Sequence, residues 1–244
     1  MNAPRPAPLW PLPRVVAHRC GGSLAPENTL AGLDITVALG FGAVEFDVML
    51  SADGTPWLIH DETLERTTNG QGKVCESRDA LLATLDAGMR HHRAFRGEPL
   101  PTFAATAARL RALNLKANVE IKPAAGHEEQ TGEVVARAIL EHWAGDALPL
   151  VSSFSDAALA AARRVAPDLP LGYLWDVPPE DWLTRAMRHG VYSLPALLGT
   201  RSKRCCARGS AGTRHPGAVL DDQRACAGRE PAPAWRHFGD LRPH

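Results

Sequence analysis

Two hydrophobic periods take turns along this chain. Short runs rich in aliphatic and aromatic residues read as strands at Arg14–His18, Ala43–Leu50, Pro56–His60, Ala117–Ile121, Pro149–Phe154 and Leu169–Leu174. Between them the spacing becomes helical. Pro26-Glu27-Asn28-Thr29 opens a helix in which Leu30, Leu33, Val37 and Phe41 fall on one face. Phe103–Leu113, Val134–Trp143 and Ala157–Val165 repeat that period, each stopping near Gly, Asn or Pro. Strand and helix alternate in this way from Arg14 to about Tyr192, which predicts an α/β fold of βα units around a parallel sheet or barrel.

Two stretches break the pattern. Residues 61–100, with turn signals such as Asn69-Gly70 and scattered apolar positions, show no βα repeat and read as an insertion. Loops that follow strands gather at the carboxyl end of a barrel, so this one is expected to overhang the mouth; a plain surface excursion is the alternative. The chain then divides into a proline-rich segment at 1–13, a barrel at 14–193 and an atypical tail at 194–244.

The length of 244 residues suits one barrel domain, since single α/β barrels run to about 250 residues. Lys and Arg total 27 and Asp and Glu total 27, which removes any electrostatic argument for nucleic acid or an anionic membrane as partner. A small molecule is the expected ligand. The segment from Met1 to Arg14 lacks the apolar run of an export signal, and no run approaches the roughly 20 residues of a membrane-crossing helix, so a cytoplasmic location is expected. Cys20 and Cys75 are isolated, and Cys205, Cys206 and Cys226 lack a paired C-x-x-C spacing; free thiols are expected.

The candidate chemistry lies at strand ends. In a strand, residues i and i+2 share a face, so Glu45 and Asp47 point together while Phe46 faces the helices; Glu120 and Lys122 repeat the arrangement. Carboxylates stripped of water need compensation. Three of them converging would form an oxygen cage suited to a hard cation, Mg²⁺ or Ca²⁺. The alternative is a set of structural ion pairs with Arg19 and Lys122. His18 and His60 end the first and third predicted strands, where two imidazoles can take and give a proton near neutral pH. Arg19 and Lys122 offer positive charge to a phosphate.

The blocks VVAHRCGGSLAPENTL, VEFDVMLSADGTPWLIHDETLERTTNG and NVEIKP, in this order, resemble the signatures of the glycerophosphodiester phosphodiesterases. WPLPR, GEPLP and LLATLDAG add a likeness to the cytoplasmic bacterial members associated with glycerol 3-phosphate uptake. The resemblance implies a TIM (β/α)8 barrel with a small insertion after its third strand and a metal-dependent phosphoric diester hydrolase. It also implies cleavage of glycerophosphodiesters to sn-glycerol 3-phosphate and an alcohol. By motif position it makes His18 and His60 the acid–base pair, Glu45, Asp47 and Glu120 the metal ligands, and Arg19 and Lys122 the phosphate contacts. Glu27 and Asn28 stand behind them, with capping and packing of the first helix as the competing role. A catalytically impaired or non-catalytic homologue that binds glycerophosphodiesters is the alternative function.

Two departures from the family pattern stand out. Cys20 replaces the glycine expected after His-Arg, at a turn where glycine permits a positive φ or a close backbone approach. A role for Cys20 as nucleophile or extra ligand competes with simple tolerance. Beyond about Ser193 the βα pattern stops and the closing strands are not recognisable. Back-translated with G/C-leaning codons and read one nucleotide later, Ala218–His244 permits LSWTTNEPARAGNLLRLGVTSATSDH, which resembles the missing block. The tail is therefore read as a frameshift product, against the alternative of a divergent folded extension.

Overall fold

Strand β2 (Ala43–Leu50) is buried at every position, as a strand must be when both faces of its sheet are covered. The computed structural model describes residues 11–143, 147–189, 192–195 and 236–237. Beside β2 lies β1 (Val15–Val16), tied to it by a parallel bridge from Ala17 to Val44. On its other side β4 (Lys116–Ile121), β5 (Leu150–Ser153), β6 (Leu171–Trp175) and β7 (Tyr192–Pro195) follow in chain order, all parallel. The crossovers carry α1 (Leu30–Ala38), α3 (Phe103–Ala112), α4 (Glu128–His142), α5 (Asp156–Val165) and α6 (Trp182–His189). β8 (Arg236–His237) pairs in parallel with β1. This is the βα succession of the expected barrel. Apart from these short strands, the tail and its frameshift reading lie outside the described residues, as does the proline-rich start up to residue 10.

One predicted strand behaves differently. Pro56–His60 forms β3 (Pro56–Leu58), which runs antiparallel to β2 with Leu50 opposite Pro56 and Val48 opposite Leu58. The reason is the link: residues 51–55 make a hairpin turn in which Ser51 N–H donates to Thr55 O at 2.9 Å and Gly54 takes a φ of 81°. A parallel crossover needs a dozen or more residues, so β3 cannot be a wall strand of the βα series. The insertion starts and ends on β3, because Leu58 N–H donates to Pro101 O at 3.0 Å as the chain returns. Around α2 (Asp79–Leu82) it packs its own apolar group, in which Leu64, Val74, Leu82 and Leu85 close over Trp57 and Ile59.

The helices begin where side-chain oxygens can cap them. Thr29, Thr102 and Ser155 accept from the N–H groups of Gly32, Ala105 and Ala158 at the starts of α1, α3 and α5. α4 begins six residues before the predicted Val134, because its first turns are polar and the apolar face shows only later. The outer faces of the strands bury Phe46, Val48, Val119 and Ile121 against Phe103, Leu110, Val135, Ile139 and Leu159. A smaller group, Leu12, Val16, Ala43, Leu150 and Leu174, packs separately from it. Phe103 is fully buried, 6.3 Å from the Phe46 ring and 5.8 Å from Trp143. Phe103→Ala is expected to destabilise the protein by about 3–5 kcal/mol in urea titrations, against under about 1 kcal/mol if this seam were loosely packed.

Candidate active site

The chain turns sharply after β1. Arg19 and Cys20 take φ values of 49° and 71°, and Gly22 N–H donates back to His18 O at 2.7 Å. This turn aims the Arg19 backbone N–H at Glu45, whose Oε2 accepts it at 3.0 Å. His18 Nε2 lies 3.8 Å from the same oxygen. The other carboxylate oxygen, Glu45 Oε1, is buried without a hydrogen-bond partner among the described residues.

Glu45 and Asp47 sit on β2 in register with Asn118 and Glu120 on β4, and β4 alternation brings Glu120 and Lys122 to the same face. Glu45, Asp47 and Glu120 each place a carboxylate oxygen within 4.8 Å of the others. Burial, then the neighbouring Asp47 and Glu120 charges, pushes the Glu45 carboxyl well up. Glu120 is pushed up to about 8, chiefly by burial and next by Asp47, with Lys122 opposing. A divalent cation would remove that repulsion, and the donor set of carboxylate oxygens fits a hard one. The unpartnered Glu45 Oε1 supplies a ligand atom the protein itself leaves unused.

Polar partners fix the remaining atoms. Asn28, at a φ of 57°, donates Nδ2–H to Asp47 Oδ2 at 2.9 Å and accepts the Asp47 N–H at 3.1 Å. Thr29 caps α1, so Asn28 is left to orient Asp47. Arg19 Nε lies 3.7 Å from Asp47 Oδ2 and is buried without a hydrogen-bond partner among the described residues, a donor beside the carboxylates. Lys122 Nζ reaches Glu120 Oε1 at 3.4 Å and His60 Nε2 at 3.1 Å.

His60 arrives by the hairpin. Because β3 runs back along β2, Ile59 N–H donates to Asp47 O at 3.2 Å and His60 lands at the level of the carboxylates. Asp61 Oδ1 is 2.6 Å from His60 Nδ1. Lys122 has only hydrogens to give and Asp61 only lone pairs, so the ring carries its proton on Nδ1 and turns the Nε2 lone pair to the site.

Asp61 and Arg66 were not singled out from the sequence, yet they complete the arrangement. Arg66 grips Glu27 with two bonds of 2.7 Å and also pairs with both Asp61 oxygens. Its hydrogen bonds hold the Asp61 carboxyl well below the usual carboxylate range. Glu27 also binds Arg19 Nη1 at 3.0 Å and stays below the ordinary range, the Arg66 and Arg19 contacts outweighing burial. The signal for Asp61 was the carboxylate directly after a candidate base. Arg66 had none, because its partners come from the first turn and from the insertion.

Cys20 occupies a left-handed position with its side chain fully buried in the apolar core. The room comes from α1, where a Cβ on Gly32 would sit 2.9 Å from the Cys20 Cβ. Burial, then Glu45 and Asp47, raises the thiol well above its ordinary range, which is the opposite of activation. Cys20 is expected to resist a thiol reagent in the folded protein while half-buried Cys75 reacts; rapid labelling of Cys20 under native conditions would contradict this packing.

A profile of the glycerophosphoryl diester phosphodiesterase family matches residues 18–198. A glycerophosphodiester phosphodiesterase of Caldanaerobacter subterraneus subsp. tengcongensis is 33% identical over 180 residues, covering 74% of each chain. Among solved structures, an Oleispira antarctica phosphodiesterase in complex with its product sn-glycerol 3-phosphate is similar, with a TM-score of 0.71 and 33% identity. That match covers 78% of this chain and 86% of the other. A glycerophosphodiester phosphodiesterase from Agrobacterium tumefaciens matches with a TM-score of 0.60 and 26% identity over 77% of this chain and 87% of its own. With the barrel succession and the strand-end carboxylates, these likenesses show that the chain belongs to the glycerophosphoryl diester phosphodiesterase family, hydrolases of phosphoric diesters.

Proposed function

We propose that this chain hydrolyses glycerophosphodiesters to sn-glycerol 3-phosphate and an alcohol, using a divalent cation, Mg²⁺ or Ca²⁺, held by Glu45, Asp47 and Glu120. The observation that carries the reading is the carboxylate triad, Glu45 and Asp47 buried and Glu120 partly so, with Glu45 Oε1 unpartnered among the described residues, flanked by His18 on one side and by the His60–Lys122 pair on the other. When bound, the cation supplies positive charge to the non-bridging phosphate oxygens and offsets the repulsion among its ligands. Every other task falls to this chain's own side chains.

Arg19 Nε and Lys122 Nζ bind the phosphate from the protein side, the first being a buried donor with no other bond to make. His18 and His60 divide the proton transfers. One takes the proton of the attacking oxygen, the P–O bond to the alcohol breaks, and the other protonates the leaving oxygen. Asp61, pinned by Arg66, keeps the His60 ring in the tautomer this requires. The test is phosphorus NMR of glycerophosphoethanolamine incubated with the protein and Mg²⁺ or Ca²⁺. Appearance of sn-glycerol 3-phosphate is expected, whereas an unchanged spectrum over many hours or accumulation of a cyclic phosphate would refute hydrolysis of this kind.

Cys20, at a left-handed residue directly after Arg19, favours a second reading in which the site binds glycerophosphodiesters without turnover. Calorimetry that detects substrate binding in the absence of product formation would select it.

A further inference from the structure

Beside the triad lie two buried polar side chains that the proposed reaction does not use. Asn118 is 4% exposed and Ser152 is 0% exposed, and among the described residues neither Asn118 Oδ1 nor Ser152 Oγ has a hydrogen-bond partner. Buried polar atoms are satisfied in the great majority of cases, so each orphan points to something bound. Their placement is specific. Asn118 is the register partner of Glu45, and Ser152 is the register partner of Glu120. Strand alternation puts Asn118 on the same face of β4 as Glu120 and Lys122. The register then puts Ser152 on that same face of the sheet, with Gly172 as its neighbour on β6 offering no side chain there. The adjacent Ser153 makes the contrast: it faces the other way and its hydroxyl is satisfied, donating to Ile121 O at 2.7 Å.

The chemistry of these atoms says what fits. Glu45 and Asn118 are cross-strand neighbours on one face, and an ionised carboxylate oxygen and an amide oxygen both only accept, so neither can satisfy the other; Glu45 Oε1 has two lone pairs and can take such a hydrogen while ligating an ion. A group with two hydrogens to give is needed between them, and Ser152 has one hydrogen of its own to donate to it. A water molecule matches on all counts, since buried waters typically make about three hydrogen bonds to groups the protein leaves unpaired.

Resting on the reading that Glu45, Asp47 and Glu120 bind a cation, we propose that Asn118 and Ser152 are positioning residues: they hold a buried water against the triad, orienting Glu45 and Glu120 and setting their affinity for the ion. They touch neither substrate nor phosphate. Outer partners of this type typically govern metal affinity by 10–100-fold.

The experiment is calorimetric titration of the chelator-treated full chain with Ca²⁺ and with Mg²⁺, alongside thermal unfolding of the cation-free form. Asn118→Leu and Ser152→Ala are each expected to weaken cation binding by about tenfold or more. Their cation-free midpoints should stay close to that of the parent, because each substitution removes a polar atom together with the water it holds. Glu45→Gln serves as the control for the triad. Affinities within twofold of the parent, with Glu45→Gln no longer binding, would overturn the inference and leave the triad standing. Weaker binding accompanied in both variants by a lowered cation-free midpoint would reduce Asn118 and Ser152 to packing residues and also overturn it. A parent chain that binds neither ion would overturn the triad and the inference together.

Discussion

Replacing His18 or His60 with alanine is expected to slow release of sn-glycerol 3-phosphate by about 10²–10⁴-fold, the usual worth of a positioned acid or base. The two sites differ in their support. His18 stands 3.8 Å from a Glu45 oxygen at the end of β1, while His60 is held between Asp61 and Lys122. Asp61→Asn should therefore injure the reaction chiefly through His60, since an amide can offer its N–H to Nδ1 and reverse the tautomer. In a cycle of single and double variants, Asp61→Asn should add little to His60→Ala and should add nearly its full effect to His18→Ala. Rates unchanged in both histidine variants would remove the pair from the mechanism.

The second large effect concerns the cation. Glu45→Gln keeps the volume but removes the charge of a carboxylate whose Oε1 has no hydrogen-bond partner among the described residues, and it is expected to weaken cation binding by more than about 100-fold, beyond what outer partners cost. Stability should follow. With free cation at about 100 times its dissociation constant, binding stabilises the folded chain by about 2.7 kcal/mol, and the variant loses this. Without cation, the pH dependence has a defined sign. Glu120 is pushed up to about 8 in the folded chain and Glu45 also above its ordinary range, so above pH 4.5 these two carboxyls hold protons in the folded state that they have released in the unfolded state. Stability of the cation-free parent must then fall as pH rises from 4.5 toward 8, and saturating cation should abolish that slope. Thermal unfolding across this range with and without chelator measures both. A cation-free chain whose stability rises over the interval would show that these carboxylates are not crowded.

Much of this was legible along the chain because its signals are local. Glu45 and Asp47 interrupt an otherwise apolar strand at positions i and i+2, and Phe46 between them does face the helices, against Phe103. The parallel order of β4, β5 and β6 follows from helices long enough to cross over. What escaped depended on partners distant in sequence. Pro56–His60 has strand composition, but its direction is set by a five-residue turn, and that reversal brings His60 back to the level of Asp47. Arg66 lies in an insertion without periodicity and acquires meaning only when Glu27 and Asp61 meet it. α6 is short and polar along much of its length, and β7 follows it closely, so neither stood out as an element of its own. Asn118 and Ser152 look ordinary in sequence; only their complete burial and empty hydrogen bonding single them out.

On the proposed reading Glu45, Asp47 and Glu120 share one ion. Anomalous diffraction from crystals soaked in Mn²⁺, a hard-cation stand-in for Mg²⁺, tests it without reference to turnover. A single strong peak is expected about 2.0–2.6 Å from an oxygen of each of the three carboxylates. A fully soaked crystal with no peak there, or with the ion bound elsewhere, would contradict it.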